Sequence, residues 1–284
     1  MPASIHAHVP ALPAMGLAML LRALFKRSRR PLPASMPELR TEYRLDQLPL
    51  DSVAAYRAAF GFTGEHVPLT WWYLLAQRAH LATMLEPGFP FRIAGLVHME
   101  NALEEHGSVA PGRPLIVRTV LRLLPPSSSG ALRCVLETTG SAGEAPVFTC
   151  ASTYLIRRGA RGGAKQAEAD SLPADAPIAQ WTLDAAAGRR YARLSSDWNP
   201  IHLYGWTARL MGMRAPIIHG MHTLAASCAV LENASGGHAV RIDCRFRAPV
   251  ALGDAVSLLT QTGTADFMVE AGGRLAVTGS CKLA

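Results

Sequence analysis

The sequence predicts an α+β fold made of two similar units, and three observations carry the prediction. A long apolar helix-forming stretch occurs twice, as LTWWYLLAQRAHLATML from Leu69 and as HGMHTLAASCAVLE from His219. After each, the hydrophobic period changes from helical to two, the spacing of half-buried strands. Between the halves lies RGARGGAKQAEADSLPADAPIA, rich in glycine, alanine, proline and charge, which is a linker composition.

In chain order, the apolar run Ala11 to Leu21 is too short to span a bilayer, which needs about 20 residues, and its cations follow it instead of preceding it. Residues 1–33 therefore read as an appendage, an amphipathic helix docked on the protein, with no stable membrane insertion. The first unit, 36–157, starts a helix at LDSVAAYRAAF, continues through the long helix, and ends in the strand-like runs GLVHMENALEEH, RPLIVRTVLRLL, ALRCVLETTG and APVFTCASTYLIRR. A linker at 158–179 follows. The second unit, 180–284, repeats the order: a short helix after Leu183, the long helix from His219, then AVRIDCRFRAPV, DAVSLLTQTG, ADFMVEAGG and RLAVTGSCKLA. A helix followed by a meander of antiparallel strands wrapping it, occurring twice, suggests two sheets forming a pseudo-dimer.

Composition narrows the function. With 49% hydrophobic and 17% charged residues the chain is a folding globular one. The five scattered cysteines show no CxxC pair, so neither a disulfide framework nor a zinc ribbon is expected, and a reducing cytoplasm fits. The net charge of +7 concentrates in runs at Arg22–Arg30 and Arg157–Lys165, without interleaved aromatics for base stacking. That reads as solvated linker charge, with no nucleic-acid partner. No GxSxG elbow or phosphate loop is present.

The chemistry gathers in SSDWNPIHLYGWTARLMGMRAPIIHGM, Ser195 to Met221. Pro200 disfavours helix at Asn199 but suits a first helical position, so Asn199 is expected to cap a helix from Pro200 to about Met213. Leu203, Trp206, Leu210 and Met213 have the spacing of its buried face. Asp197 then lies in the preceding loop and His202 in the first turn, where the two side chains can converge on one water as general acid and base. Alone, this pattern is commonly no more than a capping aspartate and a satisfied histidine. RAPIIHGM adds a glycine amide, Gly220, at the positive start of the long helix, able to receive a developing oxyanion. His219 and His222 form an HxxH with His202 as a third candidate ligand, but no fourth ligand is evident and no metal is expected.

This stretch resembles the signature of the MaoC-like, or R-specific, enoyl-CoA hydratase (hydratase 2) family of hot-dog proteins. The pattern Y-x-x-x-S-G-D-x-N-P-I-H-x-D, then A-x-x-x-G-F-x-x-P-I-x-H-G-M, is matched by Tyr191, Ser195, Asp197, Asn199, Pro200, Ile201 and His202, then by Ala208, Gly212, Pro216, Ile217, His219, Gly220 and Met221. Among its departures from the pattern, Ser196 stands for a glycine and Tyr204 for an aspartate. The resemblance implies a double hot-dog, with Asp197 and His202 as the catalytic pair, Gly220 as the oxyanion contact, and Asn199, Ser196, Tyr204 and His219 in loop-orienting or substrate-binding places. It implies reversible hydration of trans-2-enoyl thioesters to (3R)-3-hydroxyacyl thioesters without a cofactor.

The first half has only EHVP where the second inserts this segment, so one site per chain is expected; adjacent Glu65 and His66 cannot converge as a substitute pair. Coenzyme A and acyl carrier protein remain open as the acyl carrier, as does a homodimer of such pseudo-dimers. The alternatives are a 3-hydroxyacyl-carrier-protein dehydratase and a non-catalytic acyl-thioester-binding subunit.

Overall fold

The computed structural model describes residues 9–28, 36–110, 112–128, 130–156, 176–261 and 263–284. Two compact units result, and each has the expected plan of an antiparallel sheet on one long helix. Their membership interleaves along the chain. The first holds residues 1–50, 72–97 and 103–157; the second holds 51–71, 98–102 and 158–284. This differs from the expected division at 36–157 and 180–284, because the stretch before the first long helix packs with the second unit. Residues 157–175, which include most of the expected linker and the second basic run, lie outside the described residues, as do Arg29 and Arg30 of the first.

In the first unit, α1 (Leu17–Phe25), β1 (Leu39–Leu45), α2 (Leu50–Phe60, counted with the second unit beyond Leu50), the central α3 (Trp72–Leu85) and strands β2 (Val97–Glu105), β3 (Leu115–Leu124), β4 (Leu132–Ala142) and β5 (Ala145–Ile156) follow in order. The sheet order is β1-β3-β4-β5-β2. Helix α3 is apolar on nearly every side, with twelve of its residues buried, as a helix wrapped by a sheet must be. Strand β4 alternates as a half-buried strand should, with Cys134, Leu136, Thr138 and Gly140 inward. Trp72 stacks on Phe148 of β5 at 5.0 Å, a pairing worth about 0.5–1.5 kcal/mol beyond its burial.

The N-terminal appendage is tied to this unit. Leu12 is buried, its N–H donates to the Arg44 carbonyl, and Arg78 of α3 donates to the carbonyls of Leu12 and Pro13. Lys26 donates to the Met84 and Glu86 carbonyls, so a cation satisfies orphan acceptors at the end of α3. Among the described residues no helix is long and apolar enough to cross a membrane.

The second unit runs through β6 (Ala179–Thr182), α4 (Ala187–Ser195), α5 (Gly205–Leu210), the central α6 (Gly220–Ser235), β7 (Ala239–Phe246), β8 (Ala255–Thr260), β9 (Asp266–Ala271) and β10 (Arg274–Leu283), in sheet order β7-β10-β9-β8-β6. Helix α6 carries no charge until Glu232 and ends at Gly236, whose φ of 70° is one that glycine adopts without strain. Glu232 is buried, yet satisfied: its carboxylate accepts from the Ala239 amide and pairs with His66 Nε2 at 3.0 Å. His66, set aside above as half of an adjacent pair, thus has a partner 166 residues away.

The expected helix from Pro200 to Met213 does not form as one piece. A 3-10 turn, Pro200–His202, is followed by α5 alone, and the face expected to be buried is not: Trp206 is 65% and Leu210 78% exposed. Trp206 is therefore not a core residue. The cap at Asn199 is correct, since its side chain accepts from the Ile201 amide, but a cap that starts a 3-10 turn satisfies the backbone without committing it to a long helix.

Candidate active site

The site is assembled by three chain reversals in the second unit. Helix α4 stops at Ser196, whose φ of 60° makes it the one non-glycine residue in the left-handed region among those described. The family pattern has glycine here, and the backbone adopts the conformation glycine allows; serine bears about 1–2 kcal/mol of strain in it. The reversal is held by Ser195, whose hydroxyl donates to the Tyr191 carbonyl at 2.9 Å and accepts the Asp197 amide at 3.2 Å. Asp197 Oδ1 accepts from the Asn199 amide at 3.1 Å, which closes the loop and fixes its carboxylate.

His202 follows in the 3-10 turn, 8% exposed, with its Nδ1 against the Ile217 carbonyl at 2.8 Å. That acceptor can only receive, so the proton sits on Nδ1 and the lone pair on Nε2. The Ile217 amide bonds back to the Ile201 carbonyl at 3.1 Å, so the strand-like Pro216–Ile218 stretch aligns the ring from both sides. Burial pushes the His202 pKa down, against the opposing pull of Asp197, so the ring is neutral at pH 7.

His219 sits at the N-cap of α6, and its Nε2 donates to the Asp197 backbone carbonyl at 3.0 Å, tying the loop to the central helix. Its ring stacks on His202 at 3.7 Å with 26° between planes. Burial depresses its pKa strongly, and the neighbouring His202 and His222 add to the effect. One ligand atom from each of Asp197, His202 and His219 lies within 4.8 Å of the others. His219 Nε2 already donates to the Asp197 carbonyl and so has no lone pair to offer a metal there, whereas a metal needs one from each ligand. The donor set therefore fits proton transfer better than coordination.

Gly220 opens α6, and the first helical amide in a recorded bond is that of His222, to the His219 carbonyl, so the Gly220 N–H is one of the orphan donors of a helix start. A Cβ at Gly220 would meet the Phe246 ring at 2.7 Å, so glycine also lets β7 pack against the helix start.

The structure therefore brings Asp197, His202 and His219 together, with Asn199 and Ser196 shaping the loop and Gly220 opening the adjoining helix. Tyr204 is 46% exposed, its ring under the Arg189 guanidinium at 4.7 Å. His222 meets Phe60 and Tyr191 edge-on. Two residues that sequence reasoning passes over hold the arrangement. Gly188 of α4 lies against the His202 carbonyl so closely that a Cβ would overlap it, and Arg189 donates to the Leu203 carbonyl at 2.9 Å. The one signal for Gly188 was a glycine inside a helix, where it costs about 1 kcal/mol without a packing reason.

A hot-dog unit with a buried, oriented histidine, a carboxylate loop and a helix-start amide belongs to the class of hydratases and dehydratases. Comparison with known proteins agrees. A family described as "MaoC like domain" matches residues 171–270. The chain is 32% identical over 224 residues to 3-hydroxyacyl-thioester dehydratase X of Mycobacterium tuberculosis, covering 77% of this chain and 79% of that one. The crystal structure of HtdX from Mycobacterium tuberculosis superposes with a TM-score of 0.69 at 27% identity, over 86% of this chain and all of that one. Over 182 residues, 60% of this chain, it is 28% identical to peroxisomal multifunctional enzyme type 2 of Mus musculus, of which it spans 24%. The chain belongs to the MaoC-like hydratase and dehydratase family.

Proposed function

We propose that the protein adds water reversibly to trans-2-enoyl thioesters, giving (3R)-3-hydroxyacyl thioesters, at one site formed by Asp197, His202 and the Gly220 amide. The observation that carries this reading is the neutral, buried His202, grouped with Asp197 and His219, whose Nδ1 is held by the Ile217 carbonyl so that Nε2 is left as the base. A water held between Asp197 and Nε2 loses a proton to Nε2 as its oxygen bonds to C3 of the enoyl group. Negative charge moves onto the thioester oxygen, where the Gly220 N–H and the positive end of α6 stabilise it. The proton then passes to C2, so that H and OH have been added across the double bond and His202 is neutral again. Dehydration is the same path reversed.

His219 supports the pair in two ways. It fixes the Asp197 backbone, and its ring stacks on His202 and holds that imidazole in place. The 3-hydroxyacyl-thioester class is supported by the name of the Mycobacterium tuberculosis relative, and the five buried free cysteines suit a reducing cytoplasm.

The experiment is hydration of crotonyl thioester, followed by loss of the conjugated absorbance with chiral analysis of the product. The (3R) alcohol is expected. A racemic or (3S) product would contradict the reading, and release of free thiol from a saturated acyl thioester would point to a thioesterase instead.

A further inference from the structure

The side of α5 that helical spacing marks for burial faces solvent. Within residues 198–211, Trp206 is 65%, Leu210 78% and Met211 37% exposed, with Trp198 at 38% and Tyr204 at 46%. Single exposed apolar side chains need no explanation, but a cluster beside a reaction site does. The helix is firmly placed all the same. Ala208 is fully buried, the Thr207 hydroxyl donates to the Pro200 carbonyl at 2.7 Å, and Arg189 clamps the Leu203 carbonyl. Trp206 and Leu210 lie one turn apart, and the Trp206 ring stacks with Tyr204 at 6.4 Å.

Along the chain, this stretch carries charge of one sign. From Trp198 to Leu231 the chain has no Asp or Glu. Arg193, Arg209 and Arg214 are exposed, and among the described residues no ion pair is recorded for them.

We propose that α5 and its flanking arginines are the docking surface for an acidic acyl carrier protein, which delivers the thioester on its tethered arm. The inference rests on the thioester reading above and extends it to the carrier. Exposed tryptophan and arginine are the residue types that anchor protein interfaces, and opposite charge speeds and orients the encounter. Trp198 directly follows Asp197, so this surface adjoins the loop that carries the reacting carboxylate. Other occupants fit less well. A nucleotide offers Leu210 and Met211 neither a stacking nor a charged partner. A second copy in a two-fold contact would set the same unpaired arginines face to face. A membrane surface needs a longer apolar face than six helical residues give.

The test presents the crotonyl group on a fatty-acid acyl carrier protein, on coenzyme A, and on pantetheine, the arm common to both. Wild type is compared with Trp206→Ala/Leu210→Ala and with Arg209→Glu/Arg214→Glu. KM for the carrier-protein thioester is expected to rise at least ~10-fold in each, with pantetheine turnover within about twofold of wild type. An unchanged KM on the carrier protein overturns the proposal, as do equal losses on all three carriers. Losses confined to coenzyme A would give the surface to the nucleotide, and a dimer lost in the variants with KM unchanged would give it to a second copy; both overturn it. If no thioester is hydrated, the proposed function fails separately, and docking is read by calorimetric titration with unacylated holo carrier protein. Binding lost in the arginine variant then supports the surface, and no binding to wild type overturns it.

Discussion

Substituting Gly188 by alanine perturbs His202 without touching any reacting group. The added Cβ would overlap the His202 carbonyl oxygen and lie 3.1 Å from its carbonyl carbon, while Leu252 Cδ1, at 3.6 Å, is an ordinary neighbour. A backbone oxygen cannot rotate aside as a side chain can, so α4 and the turn carrying His202 must separate. Reaching a normal carbon–oxygen separation takes roughly 1.5 Å. Overpacking of this kind costs about 1–3 kcal/mol of stability. For a protein of this size that lowers Tm by roughly 2–10 °C. The larger effect is on rate, because displacing an acid-base group by about 1 Å costs on the order of 100-fold. Initial rates on saturating crotonyl thioester and a thermal melt by circular dichroism measure both. Gly205→Ala is the control, since a Cβ there meets nothing within 4 Å, and its kcat is expected to stay near wild type. A Gly188→Ala kcat within about threefold of wild type would refute the claim that this contact positions His202.

Ser196→Gly relieves the left-handed serine and should stabilise the chain by about 0.5–1 kcal/mol, once glycine's greater freedom in the unfolded state is subtracted; a lower denaturant midpoint would count against that strain. Glu232→Ala strips the buried partner from His66 and from the Ala239 amide and should cost about 3 kcal/mol, read from chemical denaturation; a loss under about 0.5 kcal/mol would show the pair to be incidental. Stability should also fall with acid. Burial holds the pKa values of His98 and His222 down at about 4, with His202 and His219 depressed as well. Between that value and the ordinary 6.5 the unfolded chain binds more protons, so the stability is complete above about pH 6.5 and drains away as pH falls toward 4. Allowing for the partial exposure of His98 and His222, each loses roughly 1 kcal/mol by pH 5; a flat urea midpoint between pH 7 and 5 would contradict it.

The parts of the fold legible in the sequence are those where one physical requirement dominates. Helices α3 and α6 must be apolar all round to sit under a sheet, and the alternating strands must present one face inward, so both announce themselves. The edge strands β1 and β6 do not. LRTEYRL alternates, but it is rich in charge and partly exposed at almost every position, and AQWT is only four residues in an alanine- and proline-rich context, too short for its alternation to stand out. The segment after Pro200 misleads for a different reason. Helical spacing of Leu203, Trp206, Leu210 and Met213 says that these residues share a face, not which way the face points, and the break at Tyr204 and Gly205 re-aims it. The neighbours of His66 in sequence say nothing of its partner, because that partner, Glu232, is 166 residues away on α6. Ser196 is the opposite case. Its departure from the glycine of the pattern marked a backbone position of unusual conformation, and the positive φ is there.

The central claim is that Asp197 and His202 move the proton in thioester hydration, and its most direct measurement is kcat on crotonyl thioester for Asp197→Asn and His202→Ala against wild type, with circular dichroism showing each folded. Removing either acid-base group should lower kcat by about 10²–10⁴-fold. Rates within about threefold of wild type in both folded variants would contradict the account.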